Sequence, residues 1–387
     1  MLIHLPILIL SLALTLTGCA SAPKVRTVDP EWIKPRVILN MLERYYYKEI
    51  DRNKCVEAML KGGVSECTDP HSYYADAKMA RLEMDKISGH FGGIGMGLEG
   101  RKVNGQLEIF VKSVTKNAPA EKGGVKPGDV LFAVSPTNRH SDMKLVKGLS
   151  VFEVVNLVRG EPGTELILTI FRAGHYKQIR LVREDIKIVL VESRLIKKGI
   201  GYVQLKGFDM ETAHDFFHAV QALKKNQARA LIVDVRGNPG GVLQTICQIL
   251  SFFTPSGKVS PLVYTEGRYE SENEVRLSNG KVSYFSNLKV VVLADRNSAS
   301  ASEILTAWFR ADYGAVVVGE KTFGKGSVQQ NFPLIDGSYL HLTIAHYFVG
   351  KKKVPVHDIG VQPTIMVEGD KAQLKRAIAE AEKLLKN

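Results

Sequence analysis

From about residue 183 onward the chain alternates short apolar runs with longer amphipathic ones, and this restricts that half to an α/β core. Residues 201–205 and 230–235 read as buried strands, separated by a helical stretch at 212–225. Runs at 288–294, 315–319 and 339–347 continue the sheet, with helices at about 242–252 and 302–309 and a closing amphipathic helix over 371–387. The 387 residues are 45% hydrophobic and 24% charged, enough for two or three domains that each bury a core.

Upstream, residues 31–90 read as helical, with apolar positions at Ile33, Val37, Leu39, Leu42 and Tyr46, interrupted by the turn Thr68-Asp69-Pro70-His71-Ser72-Tyr73-Tyr74. Glycines then cluster at Gly92, Gly93, Gly95, Gly97 and Gly100, followed by strand-like runs at 107–111 and 130–134. Between these runs lie a short helix and the turn Pro127-Gly128-Asp129; a helix at 150–158, the turn Arg159-Gly160-Glu161-Pro162-Gly163 and a strand at 165–171 follow. Over 91–183 this series resembles a PDZ domain, which adds a peptide strand to its sheet edge and holds a terminal carboxylate on backbone N–H groups. The resemblance makes Gly93-Ile94-Gly95-Met96 the binding loop, with Ile94 and Met96 as apolar walls. Arg159 reads as a solvated turn residue, with coupling of peptide binding to domain position as the rival. Gly95-x-Gly97-x-x-Gly100 also matches a dinucleotide fingerprint, but a turn follows it where a helix is required.

The first eighteen residues carry no Lys, Arg, Asp or Glu and lead into the sequence Leu16-Thr17-Gly18-Cys19. They look like a bacterial lipoprotein signal (1–18) cut before Cys19, with 19–30 as a tether; an uncut anchor is the alternative. Lipidation of Cys19 attaches the chain to a membrane. Ala20 and Ser21 lack the aspartate of inner-membrane retention, so a periplasm-facing outer-membrane position is expected. In that oxidising compartment a Cys55–Cys67 disulfide is an expectation, and it would contribute roughly 3 kcal/mol. Cys247 reads as a core residue, and no His/Cys cluster suggests a metal. The net charge of +12 is scattered, with Lys351-Lys352-Lys353 the one run, which argues against nucleic acid as a partner and leaves anionic surfaces.

Two turns carry the chemistry. Asp234-Val235-Arg236-Gly237-Asn238-Pro239-Gly240-Gly241 ends a strand and precedes a helix, so its N–H groups are available to an anion. Ser298-Ala299-Ser300-Ala301-Ser302-Glu303 does the same with three serines. One of them can be a nucleophile beside an oxyanion-stabilising N–H and the others caps; the pattern alone does not separate them. Serine needs a base. None of the ten histidines sits in a comparable glycine turn, whereas Lys325 lies between Gly324 and Gly326, where burial favours a neutral amine. Gln329 can orient that amine by accepting a hydrogen bond. The rival is a phosphate loop, Gly319-x-x-x-x-Gly324-Lys325, but Gly326 stands where a metal-binding hydroxyl is required and the next residues read as extended.

Taken together, Asp69-Pro70-His71-Ser72, Phe91-Gly92-Gly93-Ile94-Gly95, Pro127-Gly128-Asp129, Asp234 to Gly241, Ser298 to Glu303 and Phe323 to Gln330 resemble the C-terminal processing peptidases, or tail-specific proteases. The resemblance spans about 35–370. It implies an α/β multidomain protein with an N-terminal helical segment, an inserted PDZ-like domain and a protease core of the ClpP/crotonase type at 184–370. It further implies Ser300 as nucleophile, Lys325 as base, Gln329 as its orienter, no cofactor, and an oxyanion hole from Ala301 and either Gly240 or Gly241. Substrates would be proteins with apolar, unstructured C-termini, with room for an adaptor lipoprotein. A non-catalytic envelope scaffold on the same fold, and a histidine-based protease, are the competing readings. The segment Tyr347-Phe348-Val349-Gly350-Lys351-Lys352-Lys353 departs from the threonine-proline and glycine pattern common in the family, which bears on the local loop and the substrate rim.

Overall fold

The computed structural model describes residues 30–103, 105–280 and 282–386, in two compact units that divide after Glu66. The signal, Cys19 and most of the tether lie outside the described residues.

In the first unit the helices Ile33–Tyr45 and Arg52–Cys67 follow one another, the latter running one residue past the division. Leu39 is the buried apolar residue of the first helix, while Ile33, Val37, Ile38, Met41 and Tyr45 are exposed. Cys55 and Cys67 are both free thiols on the second helix. Twelve residues of helix separate their Cα atoms by about 18 Å, far beyond the roughly 7 Å a disulfide can span, so the expected bridge is not made.

The second unit holds the sheet anticipated from the alternating pattern. Its strand order is Val191–Lys197, Ile200–Leu205, Ala230–Asp234, Lys289–Ala294, Val316–Gly319 and Ile365–Met366, parallel after the first, antiparallel pair. Alternating side chains serve opposite faces. Leu231 and Val233 join a core with the helices Thr212–Lys225, Leu243–Ser251 and Ala301–Trp308; Ala230 and Ile232 join another with the closing helix Asp370–Lys386. A short π-helical turn, Phe309–Tyr313, extends the helix that begins at Ala301.

The strand Tyr339–Val349 does not continue this sheet. It is the centre of a second, antiparallel one, pairing with Ser327–Pro333, Pro261–Gly267 and Tyr73–Ala75. A tight turn at Leu334 to Ser338 returns the chain directly onto its neighbour, which forces antiparallel pairing; a parallel partner needs a long crossover. The strand Tyr73–Ala75 replaces part of the expected turn, because its edge is satisfied by residues 339–341 far along the chain.

The PDZ-like sheet runs Met96–Val103, Gln106–Val114, Val130–Ser135, Glu165–Arg172 and His175–Val182, with the helix Val151–Val158 started by a Ser150/Glu153 capping box. His90–Gly93 and Glu184–Lys187 pair as a two-stranded neck. Arg159 sits at this neck, its guanidinium 3.1 Å from Asp85 and 4.4 Å from the centre of the Phe91 ring, and so is not a solvated turn residue.

Candidate active site

The strands Ala230–Asp234 and Lys289–Ala294 end side by side, and the turns that follow them are hydrogen-bonded together. Ser298 is fully buried and donates to the Val235 carbonyl at 2.8 Å; Ser302, equally buried, donates to the Asn238 carbonyl at 2.9 Å. Both hydroxyls are therefore staples between the turns. Ser300 is half-exposed, and its Oγ donates to no acceptor among the described residues. Its backbone has φ +56° and ψ −117°, which for a residue with a β-carbon stores on the order of 1–3 kcal/mol. The structure thus separates three serines that the pattern could not.

The glycines opposite are equally specific. Gly240 has φ +103°, and a β-carbon there would lie 2.7 Å from that of Ser300. At Gly241, φ is +144° and a β-carbon would be 2.1 Å from the Phe208 carbonyl oxygen. The Gly240 N–H is already committed to the buried Asn238 side chain at 2.9 Å. Those of Gly241 and Ala301 have no acceptor among the described residues.

Lys325 arrives from a third loop, after the strand Val316–Gly319. Its ammonium is half-buried and has no hydrogen-bonding partner among the described residues. Burial pushes its pKa below the ordinary lysine value, with Asp69 pulling weakly the other way. Gln329 donates its amide to the hydroxyls of Ser327 at 2.8 Å and Thr343 at 3.0 Å, which leaves the amide oxygen as its acceptor. Ser300, Ala301, Gly240, Gly241, Lys325 and Gln329 line one cavity of about 730 Å³, walled on its apolar side by Leu190, Phe208, Leu243 and Ile304.

Two buried side chains that sequence reasoning did not assign lock these pieces in register. Glu303 accepts from the Ser300 N–H at 2.9 Å and the Lys325 N–H at 2.8 Å with one carboxylate oxygen; the other takes the Gly324 N–H at 2.7 Å and the Thr322 hydroxyl at 2.6 Å. The Tyr347 hydroxyl, fully buried, lies 2.6 Å from the Lys325 carbonyl oxygen and 3.1 Å from that of Ser300. Ser300-x-x-Glu303 is the spacing of a capping box and could have flagged the first of these bonds. The segment around Tyr347 that departs from the expected family pattern thus supports the site from beneath. His71 and His341 lie near Lys325, and burial together with its charge lowers both imidazole pKa values.

The proposed peptide loop is placed at the PDZ-like sheet. Gly93 closes the neck strand, Gly95 has φ +70°, and Met96 opens the edge strand Met96–Val103, whose outer side has no partner strand among the described residues. Ile94, expected as a pocket wall, is 1% exposed and packs in the domain core, with its carbonyl accepting from the Ala120 N–H. Cys247 is buried, which pushes its thiol up to about 12. Among the described residues no three His, Cys, Asp or Glu side chains gather as a metal site.

Comparison with known proteins bears on the family and the fold. The model of peptidase family S41 matches residues 199–367, and the PDZ domain model matches 84–170. The chain is 31% identical over 366 residues to the carboxy-terminal processing protease CtpA of Bacillus subtilis, covering 92% of this chain and 74% of that protein. It is 33% identical over 341 residues to CtpB of the same organism, covering 85% and 66%. A solved structure described as an S41 protease from Bacteroides fragilis shares the fold, with a TM-score of 0.50 at 16% identity over 87% of this chain and 90% of that one. The chain belongs to the C-terminal processing proteases of peptidase family S41, serine-type peptidases that carry a PDZ domain.

Proposed function

We propose that the chain cleaves peptide bonds near protein C-termini with Ser300 as nucleophile, Lys325 as general base and Gln329 as the group that orients Lys325. One observation carries this reading: a serine hydroxyl on a strained turn, with no acceptor for its proton, shares a cavity with a half-buried amine that has no hydrogen-bonding partner among the described residues. Ser300 Oγ attacks the scissile carbonyl carbon while Lys325 Nζ takes its proton. The oxyanion that forms accepts from the N–H groups of Gly241 and Ala301, since that of Gly240 is occupied. Lys325 then returns the proton to the leaving amine, and water releases the acyl group from Ser300. The Gln329 amide oxygen is the acceptor that would hold the neutral amine.

In this reading residues 91–183 capture an apolar, unstructured tail by adding it to the open edge beside Gly95 and Met96, and 184–370 cut it. The N-terminal 1–18 would be removed and Cys19 lipidated, which places the enzyme on the periplasmic side of an outer membrane, with an adaptor lipoprotein as a further partner. Among the described residues no helix is long and apolar enough to cross a membrane. A serine-directed phosphonate probe tests the assignment. It should modify the protein once, at Ser300, by intact and peptide mass; modification elsewhere, or none after peptide activation, would favour the non-catalytic scaffold.

The base makes its own prediction. Burial disfavours charged Lys325, so its pKa lies below 10.5, and the active form is the unprotonated one. Activity should fall about tenfold per pH unit below that pKa and level off above it. In kcat/KM against pH, a rising limb between the ordinary imidazole range and 10.5 is expected. A limb centred in the imidazole range would return the histidine reading.

A further inference from the structure

The loops that bear Ser300 and Gly241 lie at the C-terminal ends of the parallel strands. The opposite edge of the same sheet is a different surface, and it is basic. The register places Ile200, Ala230 and Lys289 level at the strand starts, with Arg229 hydrogen-bonded to both neighbours through its backbone. The helix Thr212–Lys225 delivers Lys224 and Lys225 to this edge, and the closing helix brings Lys383 and Lys386. The turn before Ile200 adds Lys198, and Leu385 comes within 3.5 Å of the position a Gly199 β-carbon would take.

Glu382 is the acidic neighbour on this edge and is bonded to Lys197. Lys198, Lys225, Arg229, Lys289 and Lys383 are exposed and have no carboxylate partner among the described residues. Arg229 and Lys289, together with Lys224, line a cavity of about 410 Å³ whose apolar wall is Leu288, Leu384 and Leu385. A surface of unneutralised cations around an apolar groove matches a phosphate-bearing surface with hydrocarbon beneath it.

We propose that this edge docks on anionic phospholipid. The choice of occupant rests on charge complementarity: cations without carboxylate partners converge here, and the chain as a whole carries +12. Docking here would hold the strands end-on to the bilayer and leave the cavity of Ser300 at their far end, facing incoming chains. It adds a second, salt-sensitive contact to any attachment through the N-terminus and is independent of the catalytic assignment.

The test is co-sedimentation of the full chain with phosphatidylcholine vesicles with and without phosphatidylglycerol. Binding should require phosphatidylglycerol and fall as salt rises. The triple variant Lys225→Glu, Arg229→Glu, Lys289→Glu should lose that phosphatidylglycerol-dependent binding by roughly tenfold or more, with peptidase activity in solution unchanged as the check on folding. The charge-matched control Lys102→Glu, Lys351→Glu, Lys352→Glu should bind as the parent does. Equal losses in the two triple variants would assign the effect to net charge and overturn the proposal, as would parent binding that ignores phosphatidylglycerol.

Discussion

Ser300→Ala and Lys325→Met should each lower peptide-bond cleavage by roughly 10³-fold or more, while neither weakens the fold. The Ser300 Oγ donates to no acceptor among the described residues, and the Glu303 N–H beside it is bonded to the Ser300 carbonyl, so removal of the hydroxyl strands no buried group. For Lys325 the sign can be worked out. Its folded-state pKa lies below the ordinary value because burial disfavours the ammonium. The folded protein therefore carries a penalty that is fully present below the folded pKa and disappears as pH rises through 10.5. Lys325→Met removes that penalty, so at neutral pH the inactive variant should be at least as resistant to denaturant as the parent. Loss of activity with retained or raised stability is what a functional strain predicts. A variant that is inactive because it unfolds, or one that keeps full activity, would defeat the assignment.

How far the sequence carried the site depends on whether a contact is local. The buried strands and their helices were legible because apolar periodicity follows from facing a core, and Leu231 and Ile232 do face opposite ones. The two glycine and serine turns were legible for the same reason, since each sits where a strand must end. The identity of the free serine was not, because what distinguishes Ser300 is that Ser298 and Ser302 bond to Val235 and Asn238 across the fold. The second sheet was missed because Tyr73–Ala75 and Tyr339–Val349 meet only in three dimensions. The Cys55–Cys67 expectation failed for the opposite reason: closeness in sequence was read as closeness in space, and an unbroken helix keeps the two apart. Glu303 shows both limits at once. Its bond to Ser300 is local, whereas those to Thr322, Gly324 and Lys325 cross nineteen or more residues.

Glu303 should accordingly be the most sensitive residue outside the cavity. Its carboxylate holds four donors in a site with no access to water, so Glu303→Ala leaves the Ser300, Gly324 and Lys325 N–H groups and the Thr322 hydroxyl without their acceptor. A loss of about 3–5 kcal/mol is expected in denaturant unfolding. Glu303→Gln is nearly isosteric and separates position from charge. The amide keeps one oxygen, which can still take the Ser300 and Lys325 N–H groups. Its NH₂ can donate to the Thr322 hydroxyl, but then faces the Gly324 N–H, donor against donor. About 1–3 kcal/mol should go with the stranded Gly324 N–H and the Thr322 hydroxyl proton displaced from its acceptor. Because Glu303 holds the backbone of both catalytic candidates yet does not line the cavity, kcat should fall in the glutamine variant with little change in KM. The alanine variant should lose activity together with its fold. If Glu303→Ala matched the parent in both unfolding and kcat, the carboxylate would not be what aligns Ser300 with Lys325.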